Sequence, residues 1–378
     1  MISLFFFAHA RAKEKELYIY IIFYKYGMQI LHTPLANFAY PVENFFGGDF
    51  MSCYHPLPAI KKPFDNTFRV GKYGDTFQSF IDYQTGELIE QISVPCGKCI
   101  GCRLDYSRAW ADRCVLESLD YPEDRCWFVT LTYDDNHLVT ADRSIVSDKG
   151  TLTLYPRDVQ LFIKRLREHW SRVYGVDRIR FFMCGEYGST TARPHYHLLL
   201  YNLPIHDLKY YTANSLGDLL YNSDELSSLW GLGFVVIGKF EWKTAAYTAR
   251  YVLKKFKGKN KDETREHYEK VGLIPEYTRM SRKPGIGRDY LDRHAAEIYK
   301  NDEIILAGGR VSKPPKYFDK IMKDNDDVMM TLIKDARKKV AALKNSEVFN
   351  HTNLDEDAYF KISEMTKEKS IKSLTRLL

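Results

Sequence analysis

The chain has 378 residues, of which 45% are hydrophobic and 28% charged, and its formal net charge is +6. This composition indicates a globular protein of one or two domains and excludes a low-complexity or highly charged disordered chain. So small a basic surplus does not by itself identify a nucleic-acid partner. Seven cysteines, an odd number in a long chain, argue against a secreted disulfide framework and favour a reducing compartment.

The first 50 residues contain two apolar bursts, at 2–8 and 17–24, separated by charged residues. Neither reaches the roughly 18 apolar residues of a membrane span, and the first lacks the basic start of a secretory signal. We therefore expect no membrane partner. We interpret residues 1–50 as a poorly folded segment or as translation from upstream of a natural start at Met51. A short amphipathic anchor is the alternative.

A cysteine cluster follows, in which Cys96, Cys99 and Cys102 are spaced by two residues with glycines between them. Thiolates at this spacing are typical zinc ligands, so we expect structural Zn²⁺, with Cys114 or Cys126 as the fourth ligand. A reduced cysteine turn without metal is the plainer interpretation, and an iron–sulfur cluster is a further alternative.

Apolar spacing predicts the following elements in chain order: a helix at 104–119, a strand at 126–133, a helix at 155–174, strands at 179–186 and 193–201, a short helix at 224–230, a strand at 234–240 and a helix at 242–256. Beyond residue 319 the charged sequence predicts a peripheral helix and a mobile tail. The basic run at 254–261 leads into an expected loop. The basic turn-forming segment at 280–288 is a solvated loop or, through free backbone amides, a phosphate site.

The most informative stretch is the second of the two paired strands, where His195 and His197 lie two residues apart. Alternation along a strand points both imidazoles to the same face. The Gly/Ser/Thr/Pro-rich link at 187–194 predicts a hairpin that brings Glu186 beside them. Two neutral imidazoles and a carboxylate make a three-ligand metal site with open positions. A structural histidine pair and a surface carboxylate at Glu186 are the plain alternatives.

The helix at 242–256 carries a second candidate group. Ala246 and Ala249 belong to its expected buried stripe. Because each helical residue advances by about 100°, Tyr247, Tyr251 and Lys254 cluster just off that stripe. We expect an α+β fold in which this helix packs across a central antiparallel sheet that holds the histidine hairpin.

The order of these motifs resembles that of the HUH endonucleases, which initiate rolling-circle replication. The segment FVTLTY at 128–133 is similar to their first motif, His195-Tyr196-His197 to the second, and Tyr247, Tyr251 and Lys254 to the two-tyrosine form of the third. The resemblance is stronger still to the gokushovirus-type initiators of microviruses. It covers about residues 51 to 315 and rests on the segments at 51–57, 94–103, 185–188, 193–195 and 284–287.

The resemblance implies a domain organisation and a fold. It implies an HUH endonuclease domain at 121–315, with a ferredoxin- or RRM-like antiparallel sheet flanked by helices. A cysteine-rich N-terminal region at 51–120 would precede this domain, and a helical, charged C-terminal tail at 316–378 would follow it.

The resemblance also implies a reaction, the nicking of single-stranded or supercoiled phage DNA at its replication origin. Mg²⁺ or Mn²⁺ would be held by His195, His197 and Glu186. Tyr247 or Tyr251 would attack the phosphate, leaving a 5′-phosphotyrosine that is later religated, and Lys254 would offset charge. Host polymerase and helicase would be partners, and the reaction would take place in the host bacterial cytoplasm.

Two other functions compete with this interpretation. A sheet rich in aromatic residues could bind single-stranded nucleic acid without cutting it. A site of two histidines and one carboxylate could also belong to a metal-dependent oxidase, but that chemistry leaves the tyrosine pair unexplained.

Overall fold

The computed structural model describes most of the chain after residue 52. The described residues are 53–62, 67–139, 152–188, 191–214, 217–250, 268, 270 and 272–374. The interpretation of residues 1–50, the basic segment at 254–261, and the placements of Tyr251 and Lys254 therefore lie outside the described residues.

The described elements are mainly strands in the first two thirds of the chain and mainly helices after that. In chain order they are β1 (Leu57–Lys61), β2 (Phe68–Val70), β3 (Phe80–Ile81), β4 (Leu88–Ile89), β5 (Ile92–Val94), α1 (Ile100–Ser118), β6 (Cys126–Tyr133), α2 (Pro156–Tyr174), β7 (Arg180–Tyr187), β8 (Pro194–Tyr201), β9 (Lys209–Ala213), β10 (Leu219–Asn222), α3 (Asp224–Trp230), β11 (Gly233–Lys239), α4 (Trp242–Arg250), β12 (Tyr277–Met280), α5 (Arg288–Asn301), β13 (Ile304–Leu306), β14 (Arg310–Ser312), α6 (Lys316–Asn325), α7 (Asp327–Asn350) and α8 (Glu356–Leu374).

The main sheet has seven antiparallel strands in the order β12-β7-β8-β6-β11-β10-β9. A smaller sheet, β2-β1-β5, precedes it in the chain. The expected α+β fold, a large antiparallel sheet flanked by helices, is confirmed. The described residues contain no helix that is both long and apolar enough to cross a membrane.

Strand β8 shows why both faces of the main sheet are covered. Tyr196 and Leu198 point into one hydrophobic core, whereas Leu199 and Tyr201 point into another on the opposite face. A strand buried on both sides loses the alternation of polar and apolar residues that marks a half-exposed strand. The near-continuous apolar run after His197 follows from this position.

Helix α2 covers the first face with Phe162, Leu166 and Trp170, which are fully buried. Pro156 begins the helix, where its missing N–H group leaves no bond unmade. Gly175 ends the helix with a left-handed φ of 66°, a conformation that glycine adopts without strain. These boundaries agree with the sequence prediction.

Helices α1, α4, α5 and α6 contribute to the core on the second face. The buried residues of α4 are Ala245, Thr248 and Ala249, whereas Ala246 is only partly buried. The buried face of α4 is therefore rotated relative to the predicted stripe, because α4 packs against both the sheet and α1. The indole Nε1 of Trp242 joins the two helices by donating to Asp112 Oδ1 at 3.0 Å.

The segment at 280–288 is tied to the core through a buried ion pair between Glu117 on α1 and Arg180 on β7. Arg180 donates to the carbonyl oxygen of Pro284 at 3.0 Å, and Glu117 Oε2 accepts the backbone N–H of Gly287 at 2.6 Å. The idea that this segment holds phosphate on free amides is thus wrong for Gly287, whose amide is used inside the protein.

Candidate metal site beside a tyrosine

The hairpin of β7 and β8 brings the three predicted ligands together. Its register places Glu186 opposite His195 and Cys184 opposite His197. Because side chains alternate along each strand, all three ligands project from the face that α1 and α4 cover. The juxtaposition expected from the hairpin is therefore present in the structure.

One carboxylate oxygen of Glu186 lies close to both imidazole rings. Oε1 of Glu186 lies 2.8 Å from Nε2 of His195 and 2.7 Å from Nε2 of His197. If one nitrogen or oxygen atom is taken from each of the three side chains, all three atoms lie within 4.8 Å of one another. Glu186 is only 2% exposed, and His197 is buried as well. The group is a compact, largely dehydrated pocket of nitrogen and oxygen ligands.

The neighbouring strand β6 fixes the ring of His197. Thr130 stands opposite His197 in the β6–β8 register, and its hydroxyl lies 2.9 Å from Nδ1. The ring of Phe128 stacks on the imidazole at 5.2 Å between centroids, with an interplanar angle of 11°. Partners of this kind fix the ring orientation of a metal-binding histidine. The sequence analysis did not predict this role of Thr130, because the role depends on the register between strands.

The contacts of His195 test whether a cation fits the group. Its Nδ1 lies 3.0 Å from the carbonyl oxygen of Arg193, which can only accept a hydrogen bond. Nδ1 therefore carries the proton, and a neutral ring turns the lone pair of Nε2 toward Glu186 Oε1. Two acceptors would then face each other at 2.8 Å. Either a second proton on the imidazole or a cation bound by both groups removes that repulsion.

The charge state of Glu186 also suits a cation ligand. Burial raises its pKa, but the neighbouring imidazoles of His195 and His197 outweigh burial and lower the pKa to about 2. Its second oxygen, Oε2, is buried and makes no hydrogen bond within the part of the chain that the structure describes. Burial lowers the pKa of His197, which favours the neutral imidazole that binds metals. The residues present therefore fit a divalent cation.

Tyr247 on α4 completes the group. Its hydroxyl donates to Glu186 Oε1 at 3.0 Å, and its ring meets that of His197 edge-on at 5.1 Å. Burial, followed by the nearby Glu186 carboxylate, raises the pKa of Tyr247 above its ordinary value, so the phenol is protonated at neutral pH. Of the predicted helix group, Tyr247 lies beside Glu186 and His197, and Tyr251 and Lys254 fall in the undescribed segment after residue 250.

A second cluster forms around the predicted cysteines. The sulfur atom of Cys53 lies beside those of Cys96, Cys99 and Cys102, and all four sulfur atoms lie within 4.8 Å of one another. The expectation of Cys114 or Cys126 as fourth member is wrong. Cys114 lies twelve residues beyond Cys102 on α1, and a rise of 1.5 Å per residue separates them by about 18 Å. Cys126 begins β6 and contacts the carbonyl oxygen of Ser118 instead.

Comparison with known proteins gives several related sequences. The family model for replication-associated proteins of the ORF2 type matches residues 126–256, which include β6, the β7–β8 hairpin and α4. Replication-associated protein ORF2 of Spiroplasma virus 4 is 36% identical over 298 residues, which are 77% of this chain and 87% of that protein. No solved structure matches the chain.

Two further relatives have similar descriptions. Replication-associated protein VP4 of Bdellovibrio phage phiMH2K is 31% identical over 240 residues, covering 63% of this chain and 70% of its own length. Replication-associated protein ORF4 of Chlamydia phage 1 is 27% identical over 260 residues, covering 66% and 58% respectively.

Proposed function

This chain belongs to the family of microvirus-type replication-associated proteins, and we propose that it initiates phage DNA replication by nicking and religating one strand at the origin. The observation that carries the proposal is the convergence of His195, His197 and Tyr247 on a single oxygen of Glu186. Ligands for a cation and an oxygen nucleophile are the two components that tyrosine attack on a phosphodiester requires.

The proposed cofactor is Mg²⁺ or Mn²⁺, held by His195, His197 and Glu186. Both ions prefer the oxygen atoms of phosphate, and Mn²⁺ tolerates imidazole ligands better. When bound, the ion would neutralise the negative phosphate oxygens that otherwise repel a nucleophile. The three side chains hold their ligand atoms in advance, since Thr130 and the Arg193 carbonyl fix the two rings.

Tyr247 is the proposed nucleophile. Its phenolic oxygen would form a bond to phosphorus while the bond from phosphorus to the 3′ oxygen breaks. The phenol loses a proton and the 3′ oxygen gains one, so the exchange is balanced and leaves a 5′-phosphotyrosine and a 3′-hydroxyl. Because one phosphate ester replaces another, the reverse reaction can religate the strand without ATP.

A second tyrosine would allow the reaction to repeat. Tyr251 follows Tyr247 by four residues, a spacing at which two side chains share one face wherever a chain is helical. We propose that one tyrosine retains the 5′ end while the other cuts the regenerated origin, and that Lys254 offsets negative charge. Host polymerase would extend the free 3′-hydroxyl and a host helicase would separate the strands, in the bacterial cytoplasm.

The experiment is a covalent capture assay. The protein is incubated with single-stranded oligonucleotides tiled across the replicon that encodes it, with Mn²⁺ or with chelator, and run on a denaturing gel. We expect a metal-dependent protein–DNA adduct, which mass spectrometry maps to Tyr247 or Tyr251. The double variant Tyr247→Phe, Tyr251→Phe should form none, and the exposed Tyr210→Phe variant is the matched control.

Other outcomes would reject the proposal. Retention of oligonucleotides in a gel-shift assay without cleavage by any preparation would favour the non-cutting binding module. An adduct of wild-type yield in the double variant would remove both tyrosines from the mechanism.

A further inference from the structure

The four-cysteine cluster lies outside the metal–tyrosine site and outside residues 126–256, which the family model matches. Cys53 precedes β1, Cys96 and Cys99 lie between β5 and α1, and Cys102 lies in the first turn of α1. All seven cysteines of the chain lie in described ranges, and none forms a disulfide. The cluster therefore gathers four thiols from two segments that are 43 residues apart at their nearest.

The distances between the sulfur atoms fit a tetrahedral metal site. Zinc binds thiolate at about 2.3 Å, so two ligands of one ion lie about 3.8 Å apart. The sulfur atoms of Cys53 and Cys99 are 4.0 Å apart, and none of the four is more than 4.8 Å from another. These separations are about twice the length of a disulfide bond.

Backbone amides point at these sulfur atoms, which favours thiolates. The N–H groups of Lys98 and Cys99 donate to the sulfur of Cys96, at 3.4 and 3.3 Å. The N–H groups of Tyr54 and Cys102 donate to Cys99, at 3.4 and 3.5 Å. Cys99 is also the N-cap of α1, where the helix dipole favours negative charge.

The fourth member has the same kind of contact. The sulfur of Cys53 accepts the N–H of Cys96 at 3.2 Å, which links the start of the N-terminal sheet to the turn after it. Gly97 gives that turn its left-handed φ of 71°. Three of the four sulfur atoms, those of Cys53, Cys96 and Cys99, thus accept backbone hydrogen bonds, and none of the four forms a disulfide.

We propose that Cys53, Cys96, Cys99 and Cys102 bind one structural Zn²⁺ ion. Four thiolates without an open position are typical of structural zinc, and they are poor ligands for Mg²⁺ and Mn²⁺. Binding displaces four thiol protons and involves no redox change. The ion would tie β1 and β5 to the first turn of α1.

The zinc would also stabilise, through α1, the position of the helix that carries the proposed nucleophile. Helix α1 begins at the cluster and, further along, accepts the indole N–H of Trp242 on α4 through Asp112. Beside Cys53, His55 contacts Glu364 of α8 at 2.6 Å. The cluster therefore lies at the N-terminal end of α1, the helix that contacts α4 through Asp112.

The test measures metal content in the full chain. The protein is purified with zinc in the medium, treated with a weak chelator, and analysed by inductively coupled plasma mass spectrometry. We expect one zinc ion per chain, a loss of at least tenfold in Cys53→Ser, and no loss in Cys126→Ser, whose thiol lies elsewhere. The His195→Ala, His197→Ala double variant should keep the zinc, so this result is independent of the nicking proposal.

A spectroscopic measurement on the wild-type chain tests the proposal even if the cysteine variants fail to fold. Wild-type chain in which Co²⁺ replaces zinc should show the charge-transfer bands of thiolate ligands and the visible bands of tetrahedral Co²⁺. A wild-type chain that retains no zinc, iron in place of zinc, or cobalt bands that lack a thiolate contribution would overturn the proposal. A Cys53→Ser chain with full zinc content would overturn the assignment of the fourth ligand.

Discussion

The hydroxyl of Tyr247 donates a hydrogen bond to Oε1 of Glu186 at 3.0 Å, although the two residues are 61 positions apart. Because this oxygen also faces both imidazoles, any cation held by the histidines and the carboxylate lies next to the phenol. The contact fixes α4 against the β7–β8 hairpin, so four predictions concern how this arrangement is held and what it binds.

Glu186→Gln should weaken the binding of Mn²⁺ by at least about 10- to 100-fold. An amide lacks the negative charge of the carboxylate, and loss of a ligand should exceed the 10- to 100-fold effect of losing an outer partner. Isothermal titration calorimetry measures the affinity. Glu225→Gln, which alters a carboxylate hydrogen-bonded to His169 on the other face of the sheet, is the control. Equal affinities in wild type and Glu186→Gln would remove Glu186 from the ligand set.

Thr130→Val should lower Mn²⁺ affinity about 10- to 100-fold while leaving the fold intact. Valine keeps the shape of threonine but removes the hydroxyl 2.9 Å from Nδ1 of His197, so the ring loses its outer partner. Thr132→Val is the matched control, since Thr132 lies on the same face of β6 but stands opposite His195 rather than His197. Identical titrations for both variants would contradict the positioning role.

The metal-free protein should lose part of its stability in acid through Glu186. Its pKa is lowered to about 2 in the folded chain, so its ionised form stabilises the fold above the ordinary carboxyl pKa of 4.5, and this contribution is lost as the pH falls toward 2. The contribution is at most about 3 kcal/mol. Urea unfolding at several pH values should show the advantage of wild type over Glu186→Gln shrinking below pH 4.5. An advantage that is constant from pH 7 to pH 3 would contradict the assignment.

Asp112→Ala should destabilise the protein by about 1–3 kcal/mol, because it leaves three partly buried donors without their buried acceptor. Asp112 is 2% exposed and accepts hydrogen bonds from Trp242, Arg310 and Ser312. Thermal or urea unfolding measures the loss. Asp105→Ala is the control on the same helix, since the Asp105 side chain is 44% exposed and an ion pair as exposed as the one it forms with Arg108 adds little stability. Equal stability of the two variants would show that the α1–α4 contact contributes little.

Sequence alone predicted the elements whose periodicity is strong. Helix α2 and strands β6 and β8 were found within a residue of their bounds, because apolar spacing, Pro156 and Gly175 mark them locally. The hairpin link also predicted that Glu186 meets the histidines. The short strands β1 to β5, and strands β9 and β10 at one end of the main sheet, were missed, since runs of two to five residues carry little periodic signal.

The missed members of the two sites depend on pairing over long distances. Thr130 reaches His197 only through the β6–β8 register, and Cys53 reaches Cys96 only when β1 pairs with β5. The buried face of α4 was misjudged because two neighbours cover it. The spacing of residues along the chain indicates which of them could belong to a site, whereas the register between strands decides which of them come into contact.

The place of the histidines in the middle of the main sheet has a consequence for incomplete chains. Thr130 and His197 are 67 residues apart, and Tyr247 follows His197 by a further 50 positions. Contacts so distant in sequence form only when the central strands and α4 have assembled together. A chain that is still on the ribosome, or that a protease has shortened, therefore has the reactive side chains but not their arrangement. The nicking activity proposed for them is expected only of the completely folded protein.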